Sequence, residues 1–267
     1  MIHASAIVEP GAELGRDVSV GPFSYIEAGA RIGEGCAIGP HVTILRYASL
    51  GARCQVHAGA VLGDAPQDLG FKGGDSFVRI GDGCVIREGV TIHRGALAGS
   101  ATVAGDGCYL MAYSHLAHNV KLDAGVILAP GALLAGHVQV GAQAFISGSC
   151  LVHQFVTIGR LVMMGGGSAV SKDVPPFCTV RPLSTNTILG LNVIGMRRAG
   201  FTPEQRAAVK AAFKTIYRAG LNVSDAVRQL RGGNPSGPVL ELCDFIDASK
   251  RGVCRAGAGG HKDEAEE

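Results

Sequence analysis

The sequence has no tryptophan, and aromatic residues make up only 5% of its 267 positions. Charged residues account for 17% and the net charge is +2. So weak a charge, with no basic run interleaved with aromatics, gives no footprint for nucleic acid. The N-terminus, MIHASAIVEP, lacks a basic stretch leading into an apolar core and does not read as a signal peptide. No apolar run reaches the roughly 18 residues of a transmembrane helix. The expectation is a cytoplasmic protein. Eight cysteines are present but no CxxC, so zinc-ribbon and thioredoxin-like chemistry has no motif.

What the chain has in abundance is glycine, 40 residues, without the three-residue period of collagen. It also has a period of six. From Val8, steps of six meet Leu14, Val20, Ile26, Ile32, Ile38, Ile44, Leu50, Val56 and Leu62. The count resumes at Ile80, Ile86 and Ile92, and again from Ala104 through Leu110 to Val170. Two residues before each aliphatic stands a small or apolar one, such as Ala30, Cys36, Val42, Ala48 and Cys54. Six is not a helical period. It fits a short strand with two inward residues followed by a turn, where glycine is expected to supply unusual backbone angles. Three hexads close one 18-residue coil, and stacked coils pair their strands about 4.8 Å apart. The prediction is a parallel β-helix over 1–183. Cys36, Cys54, Cys84, Cys108 and Cys150 fall on the small inward position, where a free thiol serves as a small hydrophobe.

The period breaks twice. Between Leu62 and Ile80 the inward slots would hold Asp68 and Gly74, so 63–78 should leave the coil as a loop, and 94–103 should bulge too. Loops on a rigid scaffold commonly carry function. Beyond Val174-Pro175-Pro176 the period ends. A helical C-terminal domain is predicted over 184–255, helical from about Thr187. Thr202, Pro203 and Gln205 form a capping-box start, Ser224 is the candidate cap of the next helix, and a further helix lies between Pro238 and Lys250. The final residues, 256–267, read as a flexible tail.

None of the nine histidines occupies an inward slot, so a buried core role is not expected for them. His118, His137 and His153 recur at the turns of successive coils and should stack along one edge. His115 points outward from the adjoining face. Imidazole moves protons near neutral pH. His118 is the candidate general base, with Asn119 beside it, and Gly136 one coil on offers a backbone N–H for an oxyanion. No serine or cysteine reads as a nucleophile, which favours direct attack by an acceptor. A histidine-bound zinc, as in β-helical carbonic anhydrases, is the rival reading. The His spacing differs and no acidic partner for the ligands is evident. A scaffold that kept the fold without the reaction is the third. Partly apolar outer faces suggest side-by-side packing of subunits as a trimer.

Longer matches go beyond the hexads: PQDLGFKG from Pro66, IREGVTIHRG from Ile86, LMAYSHLAHN from Leu110, LAGHV from Leu134, VHQF from Val152, DVPPF from Asp173 and GLNVIGMRRAGF from Gly190. Over residues 1–255 the chain resembles the UDP-N-acetylglucosamine O-acyltransferases that begin lipid A synthesis, within the hexapeptide-repeat acyltransferases. The resemblance implies a left-handed β-helix, a handedness that sterics alone would not favour. It implies a homotrimer without metal or other cofactor. The reaction implied is transfer of an (R)-3-hydroxyacyl chain from acyl carrier protein to the glucosamine 3-hydroxyl, or to a 3-amino group as in some relatives. By resemblance His118 is the base and Gly136 the oxyanion donor. Gln67, Asp68, Lys72, His115, His137 and Gln154 contact substrate, and His153, Asn192 and Arg198 lie toward the nucleotide. Gly166 limits acyl length. Asn119 stands where an acid is frequent, Gly70 where a lysine is frequent, and Ala199 ends the Arg197-Arg198 pair early. Arg160, Lys172, Arg181, Arg197 and Arg198 are candidate contacts for the acidic carrier protein.

Overall fold

The computed structural model describes residues 1–257. Short strands, most of them two residues long and ending on the inward aliphatic, stack into three parallel sheets that form the walls of a prism. The first face begins at Ile7–Val8 and rises through Val61–Asp64, Thr91–His93, His115–Leu116, Leu133–Leu134 and Leu151–Val152 to Ala169–Val170. The second runs from Glu13–Leu14 through Phe77–Ile80, Ala101–Ala104 and Lys121–Leu122 to Thr157–Ile158. The third runs from Ser19–Val20 to Cys178–Val180. The aliphatics at the inward slots, such as Ile26, Ile44, Leu62, Ile86, Leu116 and Leu134, are fully buried. Each closes against the slot one coil away, as in Ile92 with Leu116 and Leu116 with Leu134.

The turns follow one rule with a correction to the expected use of glycine. The left-handed backbone falls three residues after the inward aliphatic, at Phe23, Gly29, Gly35, Tyr113, Asn119, His137 and Phe155 among others, and many of these are not glycine. Glycine directly after the aliphatic serves close approach instead. A Cβ on Gly33 would stand 2.5 Å from the Gly51 backbone of the next coil. The coil, not residue preference, enforces the turn angle.

Both excursions leave the same corner, between the first and second faces. The strand before the first excursion continues to Asp64 and the next begins at Phe77, while the strand after the second excursion begins at Ala101, so the loops are 65–76, shorter than expected at both ends, and 94–100, shorter at its far end. After the last coil, Thr187–Leu191 forms an antiparallel strand on the third face where helix was expected. Helix α1 (Val193–Arg198) follows, then α2 (Pro203–Arg218), α3 (Val223–Gly232) and α4 (Gly237–Ala248). Thr202 and Gln205 form the capping box as expected. Asn222, not Ser224, caps α3, its Oδ1 accepting from the Asp225 N–H at 2.9 Å. Val209, Phe213 and Ile216 bury the inner face of α2. Ala256, which the sequence assigned to the tail, instead pairs with Ile188 in the third sheet, while 258–267 lie outside the described residues.

Candidate active site

The corner between the first and second faces gathers the predicted residues from three successive coils. His118, Gly136 and Gln154 occupy equivalent positions, two residues past Leu116, Leu134 and Val152. Rungs of backbone join them: the His137 N–H donates to His118 O and the Phe155 N–H to Gly136 O, each at 3.0 Å. The His118 ring lies over Gly136. A Cβ there would stand 2.5 Å from its Cε1 and Nε2. Glycine is therefore what lets the imidazole occupy this place. Among the described residues nothing accepts from the Gly136 N–H.

His118 is 7% exposed and held from both sides. Its Nδ1 lies 3.0 Å from Asn119 Oδ1, and its Nε2 lies 3.8 Å from Asp68 Oδ2. The Ala96 N–H donates to the same Asn119 oxygen at 2.9 Å. That oxygen is thus an acceptor, so the ring must donate from Nδ1, leaving the Nε2 lone pair facing the site. Asp68 reaches in from the 65–76 loop, its other oxygen accepting from the Gly70 N–H at 2.8 Å.

A cavity of about 550 Å³ opens at this point, lined by Gln67, His115, His118, Gly136, His153 and Gln154, with Leu133 and Leu151 on its apolar floor. His115 Nδ1 lies 2.7 Å from Thr91 Oγ1. Burial, and then the charge of neighbouring His93, push His115 down to about 4, against the opposing hydrogen bond from Thr91. His93 is the residue the sequence reading passed over. It packs edge-on to His115 with centroids 4.8 Å apart, is 6% exposed, and its Nδ1 has no partner among the described residues. Burial depresses it as well. His93 and His118 are thus buried although neither occupies an inward slot of the coil. The signal for His93 was its place one residue past Ile92, at the mouth of an excursion.

The three-histidine edge is also revised. His118 and His137 meet edge to face at 5.1 Å, but the ring stacked on His137, at 4.7 Å, is Phe155. His153 turns toward the chain end, where Arg251 Nη2 approaches its Nδ1 at 3.3 Å. Burial, then the charge of His118, lower His137. Among the described residues no three His, Cys, Asp or Glu side chains converge to hold a metal.

Other predicted residues stand apart. Asn192 and Arg198 line a different cavity, of about 1340 Å³, on the third face with Gln143, Phe145 and Met163. Asn192 caps α1 by accepting from the Gly195 N–H, and donates to Leu161 O. Lys72 is exposed on its loop. Gly166 sits at the opposite corner of the first face, where a Cβ would meet only Gly148 O at 3.8 Å. Arg160 is not a free rim cation. It forms a two-pronged pair with Glu241 at 3.0 and 2.7 Å and lies over Phe177 and Phe201. No helix among the described residues is long and apolar enough to cross a membrane.

The hexapeptide-repeat transferase model matches residues 11–46, and the model for domain 2 of UDP-N-acetylglucosamine O-acyltransferase matches 173–254. The acyl-[acyl-carrier-protein]--UDP-N-acetylglucosamine O-acyltransferase of Halorhodospira halophila is 44% identical over 95% of this chain and 99% of its own. The chain belongs to the UDP-N-acetylglucosamine O-acyltransferase family. Its namesake in Burkholderia orbicola is 39% identical over the same shares. Among solved structures, the UDP-N-acetylglucosamine acyltransferase of Bacteroides fragilis superposes with a TM-score of 0.92 at 37% identity, covering 96% of this chain and all of that one. The Campylobacter jejuni enzyme gives 0.89 at 37% identity, covering 96% and 99%. The fold is accordingly the left-handed parallel β-helix with a small helical end. As an O-acyltransferase, the chain is an enzyme built for acyl transfer.

Proposed function

We propose that this chain transfers an (R)-3-hydroxyacyl group from acyl carrier protein to the 3-hydroxyl of UDP-N-acetylglucosamine, the first step of lipid A synthesis. The observation that carries the reading is the imidazole of His118, oriented through Nδ1 by Asn119 and presenting Nε2 beside Asp68 and over Gly136. Nε2 takes the proton of the sugar hydroxyl as its oxygen attacks the thioester carbonyl. The Gly136 N–H receives the developing oxyanion. Collapse breaks the carbon–sulfur bond, and the proton on Nε2 passes to the departing thiolate. Asn119 is neutral and holds the ring by dipole alone. The carboxylate of Asp68, 3.8 Å away, supplies the charge that steadies the imidazolium. His115, kept neutral by its burial, can donate or accept a hydrogen bond to substrate without adding positive charge. Gln67, His137 and Gln154 contact the acyl and sugar groups nearby. The C-terminal domain over 184–255, the acyl-length role of Gly166 and the substrate contact of Lys72 belong to the same reading.

We further infer a homotrimer working in the cytoplasm, where acyl carrier protein and nucleotide sugars meet. Leu133 and Leu151 leave an apolar stripe 42% and 51% exposed on the first face. Asn192 and Arg198 open on the third face of the same chain. Packing the first face of one copy against the third face of the next covers the stripe and brings Asn192 and Arg198 of the neighbour to His153, at the nucleotide end of one site.

The test is an acyl-transfer assay with UDP-N-acetylglucosamine, its 3-amino analogue and a ladder of 3-hydroxyacyl carrier proteins, with and without chelator. Chelator-insensitive transfer lost in His118→Ala supports the reading, and the ladder fixes acceptor and chain length. Absence of transfer to either acceptor overturns it.

A further inference from the structure

Asp68 stands on a loop with little internal structure. Within 65–76, the Gly70 and Phe71 N–H groups both donate back to Asp68, and Leu69 is fully exposed. Gly73 and Gly74 both adopt left-handed angles, and Gly73 has open space around it. A segment so built needs an outside fixture to hold a carboxylate 3.8 Å from Nε2.

Arg94, the first residue of the second excursion, places its guanidinium 5.1 Å from the ring centre of Phe71 and 5.1 Å from that of Tyr47. Its Nη1 donates to Gly74 O at 2.7 Å and its backbone N–H to Asp64 O at 3.0 Å. Tyr47, one coil below, donates its hydroxyl to Asp75 at 2.6 Å. The Gly99 N–H donates to Asp75 O at 2.7 Å. The two excursions are therefore a single interlocked unit. It grips His118 from both sides, with Asp68 at Nε2 and, through the Ala96 N–H, Asn119 at Nδ1.

We propose that Arg94 is the positioning residue for Asp68: held between Tyr47 and Phe71, it fixes the 65–76 loop in the geometry that acyl transfer requires. The inference rests on the function proposed above. A planar guanidinium can face two rings while donating in its own plane, and an ammonium cannot do all three at once. Arginine is thus required here, not merely positive charge.

Two readouts test it on the full chain. Hydrogen exchange needs no turnover: Arg94→Gln should raise exchange over 65–76 by about tenfold or more while the coils stay protected. In the transfer assay Arg94→Gln should cost roughly 10- to 100-fold in kcat, as should Asp68→Ala, and the double variant should lose no more than Asp68→Ala alone. Arg94→Lys should recover only part of the loss. Should Arg94→Gln fold poorly, Phe71→Leu removes one ring and leaves the arginine, with the same direction expected in both readouts. Unchanged exchange overturns the clamp. Raised exchange with additive kinetic losses overturns its action through Asp68. An unaltered protein that transfers no acyl group overturns the proposed function and this use of the clamp with it, while exchange still decides the clamp itself.

Discussion

Cysteine and histidine form two ladders in the same coil, and they come to opposite ends. Cys36, Cys54, Cys84 and Cys108 stack on successive coils inside the third wall, each at most 1% exposed. Each thiol donates to a turn carbonyl of the next coil, as Cys84 does to Gly105 O at 3.2 Å. A hydrogen bond to Cys108 and then burial push Cys84 up to about 11. His118 and His137 also stack on successive coils, but at an outer corner beside a cavity. The same periodicity aligned both sets. Position within the hexad then decided that one set is buried filling and the other lines a cavity, where the proposed reaction needs it.

The sharpest test of that contrast is the base itself. His118→Ala should lower kcat by on the order of 1000-fold or more with the melting temperature nearly unchanged, whereas Cys84→Ala should leave kcat intact. Equal losses from the two would erase the distinction. Next in size is Gly136→Ala. Its Cβ would meet the His118 ring at 2.5 Å, and we expect about 100-fold loss in kcat with the coil preserved. Asn119→Ala releases the ring and the Ala96 N–H together. Its expected cost is roughly 10- to 100-fold in kcat, and Asn119→Asp should recover activity because it keeps the acceptor.

Smaller effects concern stability. Cys84→Ser puts a stronger dipole in an apolar slot and should cost about 1 kcal/mol by denaturant titration, with no native thiol reacting with an aromatic disulfide reagent. A pH-dependent effect on stability lies with His115. Its folded-state value, about 4, lies below the ordinary 6.5, so the folded protein resists protonation that the unfolded chain accepts. The associated stability is present above about pH 6.5 and is lost as pH falls toward 4. Comparing the protein with His115→Gln across that window should isolate a pH-dependent difference that is flat above pH 7.

The coil was legible because its rule is local. An inward aliphatic every six residues leaves a mark at each turn of the chain, and the capping box of α2 is complete within four residues. The site was partly legible for the same reason: adding 18 to His118 reaches Gly136. Misreadings arose where a neighbour in space, not in sequence, had the decision. His93 is buried with its ring against His115, Arg160 is taken by Glu241 across the helical end, and Thr187–Leu191 becomes strand because the third sheet offers it an edge.

By itself, then, the sequence determined the three-sided coil, the inward burial of the cysteines and the clustering of imidazoles at one corner, since each follows from residue type and spacing. Only the tertiary structure decided which histidine nitrogen faces the cavity, that glycine after the aliphatic serves close approach, and that Arg94 ties the two excursions together. Those depend on distances between segments far apart in the chain, where a shift of an ångström separates a hydrogen bond from none.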